Sequence, residues 1–359
     1  MFKTYEKYII KNFIKKFLSI SIVFFCLIVI LSVLEEISFF KEIDSNILYP
    51  YILTILSSPI TLFEIFPFIF LIATQYLFYD LFRKEELTLL KINGLSNFRI
   101  IKILFITSIM IGILAVVIFY NVASKLKFFY TDIKNNFSND NKYLAVVNDS
   151  GLWLKDEINN NILIIKSTNI DDNFLKNVVI NEFDQNFEIK RIIQSQNIDI
   201  NKKEWIIKNP IITIKNISEK NNDDLNFLTN FDKEKIYKLF SNISTLNILE
   251  LFNLKKDYEN LGYSSDEIKI HLLKLFSTPL FYSALTVLSS VIMFSFKRGR
   301  SLFFYILLGI LTSVIIYYVT FMFSSMGKNG QIPIMTSIFL PIVLISIIAT
   351  IGLIRVNEK

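Results

Sequence analysis

Residues 17–34 read FLSISIVFFCLIVILSVL, a run without a single Asp, Glu, Lys or Arg. At about 1.5 Å per residue, a helix of this length reaches across most of the roughly 30 Å hydrocarbon core of a bilayer. Backbone in lipid must satisfy its own hydrogen bonds, so an isolated run of this kind folds as helix. Outward from it, similar runs recur near 59–79, 103–122, 275–296, 302–323 and 332–354, with a polar stretch at 123–265 between the third and the fourth. The layout predicts a polytopic α-helical membrane protein with six transmembrane helices and one water-exposed inserted domain.

Composition supports this class. The 359 residues are 52% hydrophobic and include 35 Phe, which excludes an ordinary soluble globule. The net charge of +6 is not a nucleic-acid footprint. Much of the positive charge outside the insert sits in the N-terminal tail and beside apolar runs, and no base-reading motif accompanies it. Cys26, the only cysteine, lies mid-span and leaves neither a disulfide framework nor a Cys-based metal site. The single His271, at the start of a span, reads as an interfacial polar group. The first apolar run is too long for a signal-peptide core and is expected to remain as the first membrane helix.

Loop charges give an orientation. Lys3, Lys7, Lys11, Lys15 and Lys16 precede the first span, whereas Glu35, Glu36, Glu42 and Asp44 follow it against Lys41 alone. The next loop carries Arg83, Lys84, Lys91, Arg99 and Lys102. The loop between the fourth and fifth spans is Lys297-Arg298-Gly299-Arg300, the following loop has only Lys328, and the tail has Arg355 and Lys359. This alternation predicts cytoplasmic termini and an insert outside, which is the periplasm if the chain lies in a bacterial inner membrane. Lys3, Lys7, Lys11 and Lys15 also share one helical face while Tyr5, Ile9 and Phe13 share another. That pattern predicts an amphipathic helix lying in the headgroup layer before the chain turns inward.

Within 123–265 the periodicity changes. Leu144-Ala145-Val146-Val147 leads through Asn148-Asp149-Ser150-Gly151 into Leu152-Trp153-Leu154, a hairpin signal. Asn161–Lys166 is a short apolar run. Phe187, Ile189 and Ile193 fall on alternate positions, Ile198 and Ile200 approach the turn Asn201-Lys202-Lys203, and Trp205-Ile206-Ile207 leaves it. Ile212 and Ile214 alternate with polar neighbours. Such patterning predicts an antiparallel sandwich, jellyroll or open barrel. Asp232–Phe240 and Asn247–Leu261 read as helices returning to the membrane. The insert has no His, no Cys and no nucleophile elbow, so binding or docking fits it better than catalysis.

The chain lacks a P-loop, and its spans are almost free of ionisable groups. Glu64 is the main exception, with Lys274 near a span boundary. That scarcity argues against a self-powered transporter and for energy supplied by a partner. The loop at 82–96 is a place to receive it. Leu87, Leu90 and Lys91 lie near one face of a short helix, which Gly94 caps before Ser96 opens the next. Glu86 and Lys91 present opposite charges.

This loop, taken with the layout, resembles the LptF/LptG family of lipopolysaccharide export permeases, whose pattern is approximately Ser-Glu-Leu, apolar residues, then Arg-Ala-Ala/Ser-Gly. Here it reads Glu85-Glu86-Leu87 through Lys91-Ile92-Asn93-Gly94. Gly151-Leu152-Trp153-Leu154-Lys155-Asp156, the spacing of Pro59 and Pro67, Thr278-Pro279-Leu280, and the stretch from Gly327 to Pro333 resemble the LptG side. The resemblance implies six spans, domains at 1–122, 123–265 and 266–359, and a periplasmic β-jellyroll between helices three and four. Glu86 matches the family's coupling glutamate, with Leu87, Leu90, Lys91 and Gly94 around it. Lys91 stands where arginine is common. Glu35 and Glu36 stand where some members carry basic residues.

The implied function is that of a non-catalytic ABC permease subunit that extracts lipopolysaccharide and passes it to a periplasmic bridge. It implies an LptF-like permease partner, an LptB-like ATPase dimer that uses ATP and Mg, and LptC-like and LptA-like bridge proteins. No cofactor is expected on this chain. Phe24, Ile28, Leu31, Phe66, Phe68 and Phe304 are candidate acyl-chain contacts, Lys41 a candidate headgroup contact, and Trp153 a candidate residue of the outer domain. Two rivals remain: a non-transporting receptor or scaffold, which needs an output module that the short loops do not supply, and a mechanotransmitting ABC-linked permease. Co-purification with lipopolysaccharide discriminates among them.

Overall fold

The computed structural model describes residues 3–41, 43, 46–137, 152–158, 160–171, 173–215, 217–220, 223–240, 242–261, 263–294 and 301–357. The approach to the expected 144–154 hairpin and the charged 297–300 loop lie outside the described residues, as do Glu42 and Asp44. The chain forms two compact units, one of residues 1–127 with 266–359 and one of residues 128–265.

The expected six membrane-length helices are present. They are α1 (Thr4–Phe40), α2 (Leu48–Arg83), α4 (Asn97–Leu114, continuing through a π-turn, Ala115–Tyr120, into α5, Asn121–Asn136), α8 (Asp266–Phe294), α9 (Leu302–Lys328) and α10 (Ile334–Asn357). A short helix, α3 (Glu86–Ile92), joins α2 to α4. Helix α1 differs from the expectation. It runs unbroken, with no turn between a headgroup-layer helix and a span. Its lysines 3, 7, 11 and 15 are exposed as the pattern predicts. Ile9, Phe13 and Phe17 are buried, however, and Phe13 and Phe17 meet Phe70 of α2 at 6.4 and 4.8 Å between ring centroids. Packing on α2 continues the helix where a surface-bound segment would have ended it.

Helix α8 is the centre of the first unit and packs against α2, α4, α9 and α10. Tyr282 stacks on Phe70 at 4.5 Å. Ser108 and Thr286 share a hydrogen bond of 2.8 Å between α4 and α8, and Ser289 donates to the Leu71 carbonyl of α2 at 2.8 Å. Without a hydrophobic drive between helices in lipid, such small polar contacts and close backbones select the pairs.

The second unit is a curled antiparallel sheet in the order β1-β2-β4-β5-β6-β9, with β3 on β4 and β7 and β8 extending from β5. The strands are β1 (Leu152–Ile158), β2 (Asn161–Ser167), β3 (Asn169–Asp171), β4 (Phe174–Phe183), β5 (Ile189–Asp199), β6 (Glu204–Ile207), β7 (Ile211–Ile214), β8 (Ile217–Lys220) and β9 (Leu225–Leu228). The 201–203 turn joins β5 to β6 as expected, with Ile198 opposite Ile207. Phe187 does not belong to a strand. It sits at φ +60 in a turn where the Asp184 carboxylate accepts the Asn186 and Glu188 N–H groups. Two helices follow, α6 (Lys233–Phe240) and α7 (Ile248–Leu261), within a residue of the expected bounds. The Trp205 side chain, buried on β6, donates to the Phe231 carbonyl at 2.9 Å.

Candidate functional site

The 82–96 segment is built as a tight elbow. Helix α2 ends at Arg83, and Glu85 adopts φ +59 to turn the chain into α3. A left-handed conformation costs a non-glycine residue about 1 kcal/mol, so the elbow is held by its surroundings. Leu87 is buried and anchors α3. Leu90 is half-buried, and Lys91 is exposed with its ammonium 5.5 Å from the Phe294 ring centroid. On the outer side, Leu89 and Ile92 face solvent, Ile92 at 76% exposure.

The far end of α3 closes as expected. Gly94 takes φ +83, its N–H bonds the Lys91 carbonyl at 2.9 Å, and the Leu95 N–H bonds the Leu90 carbonyl at 3.1 Å. This paired arrangement satisfies the last carbonyls of the helix and requires a residue that tolerates the left-handed region. Leu95 is buried beneath it. Ser96 then accepts the Arg99 N–H at 3.3 Å and opens α4.

Two contacts that periodicity did not reveal hold this elbow from α1. The Tyr8 hydroxyl donates to Oε2 of Glu86 at 2.7 Å. Lys16 forms an ion pair with Asp80, and its ammonium lies 3.8 Å from the Tyr76 ring centroid. Their sequence signal is slight: Tyr8, Asn12 and Lys16 recur every four residues on one face of α1.

The candidate lipid contacts divide. Leu31 is exposed, Phe24, Phe68 and Phe304 are half-buried, and Lys41 is exposed at the end of α1. Ile28 and Phe66 are buried in this chain. Phe66 packs against Phe17, Phe119 and Tyr282, so its place in the set gives way to a core role. Glu64 lies on α2 within the field of two cations, Lys127 and Lys274. His271 is hydrogen-bonded to the Tyr120 hydroxyl at 2.8 Å.

In the sheet, Trp153 points outward with the Lys166 ammonium 4.9 Å from its ring centroid. The Tyr263 hydroxyl accepts the Lys155 N–H at 2.7 Å and donates to the Trp153 carbonyl at 3.3 Å. Burial raises the pKa of that hydroxyl, which keeps it a donor. The neighbouring Asp156 is the more informative residue. Its buried carboxylate accepts from the Thr229 hydroxyl at 2.7 Å, the Asn230 N–H at 2.9 Å and the Asn230 amide at 2.8 Å. Strands β1 and β9 stand at opposite ends of the strand order. Asp156 therefore closes the curl through its own side chain.

A family model described as lipopolysaccharide export system permease LptF/LptG matches residues 7–355. No curated protein matches the chain.

Proposed function

The chain belongs to the LptF/LptG family of lipopolysaccharide export permeases, and from that premise we propose that it is the permease half of an ATP-driven machine that lifts lipopolysaccharide out of the inner membrane. The observation that supports this most is the family match, which runs from the first turns of α1 to the last turn of α10. A second, LptF-like permease completes the membrane cavity, and an LptB-like ATPase dimer hydrolyses ATP below it. LptC-like and LptA-like bridge proteins receive the lipid from the β domain. The 123–265 insert, including the curled sheet, is periplasmic and both termini are cytoplasmic, in keeping with the loop charges. Several motifs favour the LptG side.

Force enters at α3. Glu86 gives the ATPase a carboxylate, and the exposed Leu89 and Ile92 give it an apolar footing. The outward side chains of α1, α2 and α9, with Leu31, Phe24, Phe68 and Phe304 among them, meet acyl chains. Lys41 stands where a phosphorylated headgroup can reach it.

The test uses the complex of this chain with its permease partner and ATPase in proteoliposomes. Glu86→Lys is expected to reduce ATPase co-purification and lipopolysaccharide release together, because a cation replaces the docking carboxylate. Unchanged values for both remove α3 from the coupling route.

A further inference from the structure

Helix α3 has only seven residues, and one of them, Leu87, is fully buried. So short a helix cannot hold its own first side chain in place, because isolated helices of this length are unstable in water. Glu86 is held from elsewhere. Its Oε2 accepts the Tyr8 hydroxyl at 2.7 Å, across 78 positions of sequence. A carboxylate has two oxygens and accepts several hydrogen bonds, so this one leaves Oε1 able to meet a donor on a partner.

Tyr8 is not an isolated contact. Asn12, one turn along, lies beside the Tyr8 side chain. Lys16, a further turn along, pairs with Asp80 and lies over Tyr76, both near the end of α2. Beside this polar face, Ile9, Phe13 and Phe17 are buried, and Phe17 lies 5.6 Å from Phe66 between ring centroids. Helix α1 thus grips the elbow on both sides of its bend, at Asp80 before it and at Glu86 after it. The helix then continues without a break to Phe40. Its 37 residues span about 55 Å at 1.5 Å per residue. A continuous helix transmits a push at one end to the other.

From this geometry we infer that Tyr8 is a positioning residue for Glu86, and that Tyr8 and Lys16 together make α1 a strut that carries movement of α3 through the membrane. The inference rests on Glu86 as the coupling residue, and the two are separable. Tyr8 touches Glu86 without being the docking group. Its loss is expected to leave the ATPase bound while weakening the link between hydrolysis and lipid movement.

The experiment measures lipopolysaccharide released per ATP hydrolysed, with ATPase co-purification in parallel, in proteoliposomes holding the whole complex. Tyr8→Phe removes only the hydroxyl from a residue that is two-fifths exposed, so packing is preserved. Lipid released per ATP is expected to fall roughly ten- to hundred-fold, the range set by one hydrogen bond to a charged group, with co-purification within two-fold of the parent. Lys16→Asp and Asp80→Lys are each expected to lower the ratio, and the double swap to restore it. Restoration shows that the pair acts as a unit, and a parental Tm in the single variants shows that it acts on transmission; a Tm that falls in step with the ratio overturns the strut. A normal ratio in Tyr8→Phe alongside a defective Glu86→Lys overturns the inference about Tyr8. Single Lys16 and Asp80 variants with a normal ratio, or a double swap that stays defective, overturn the strut. A normal Glu86→Lys overturns the coupling role on which both depend.

Discussion

Helices α8 and α9 are consecutive, similar in length and both apolar, yet they live in different surroundings. In its most apolar stretch, 61% of α8 is buried inside the chain, against 11% of α9. The more apolar of the two is the one left outside. In water the order would be reversed, because apolar surface drives burial. In lipid the hydrocarbon solvates Leu and Phe as well as a neighbouring helix does, so close approach and polar contacts decide. Helix α8 has both. Ser283, Thr286, Ser289 and Ser290 are buried along it, and Pro279 sits against Gly112 of α4. Helix α9 carries Phe303, Leu307, Leu311, Tyr318 and Phe321 into the bilayer or toward a partner.

The strongest way to break this comparison is to enlarge a close approach on each helix. A Cβ on Gly112 would lie 2.7 Å from the Cα of Pro279, which is backbone inside a helix. Overpacking of this kind costs about 1–3 kcal/mol, and Gly112→Ala is expected at the upper end, read as a fall in Tm in detergent. On α9, a Cβ on Gly309 would meet the end of the Gln75 side chain. That amide is fully buried but makes no hydrogen bond among the described residues, so moving it breaks no bond. Gly309→Ala is expected at the lower end of that range, about 1 kcal/mol. Equal losses at the two sites would show that α9 is held as firmly as α8.

A finer test removes one polar contact. Ser289→Ala deletes the bond to the Leu71 carbonyl. Interhelical hydrogen bonds in membranes are worth about 0.6 kcal/mol on average and at most about 1.7. A loss in that range, measured by SDS-induced unfolding, sharpens the view that many small contacts hold α8. No measurable loss would move the weight onto backbone approach at Gly112.

Hydropathy made six helices legible because a bilayer fixes how long an apolar run must be. Period-two alternation made most of the sheet legible, since a strand half-buried in a core must alternate. The cap at Gly94 and the start at Ser96 were legible because capping is local chemistry. Three relations were hidden for a common reason: Tyr8 to Glu86, Asp156 to Thr229 and Asn230, and Gly112 to Pro279. Each joins residues far apart in the chain, and one sequence carries no record of which distant pairs meet. Phe66 shows the converse limit. An apolar residue in a membrane helix reads the same whether it faces lipid or its neighbours, and only the position of α1, the π-turn after α4 and α8 around it puts it in the core.

The smallest expected effect tests the exposed side of the comparison. Leu311 is 60% exposed on α9, so Leu311→Ala removes few contacts within the chain. Substitutions at such positions change stability by about 0.5 kcal/mol or less, and in lipid the lost methyl groups are replaced by acyl chains. The variant chain alone in detergent is therefore expected to unfold with the parent's Tm. The same change in the complex has a different meaning. If α9 faces the second permease, the substitution opens a void in a packed interface and lowers recovery of that partner. If it faces acyl chains, partner recovery is unchanged and only lipid occupancy responds. A fall in the Tm of the isolated chain would contradict both outcomes, because it would mean that α9 is already packed within its own subunit.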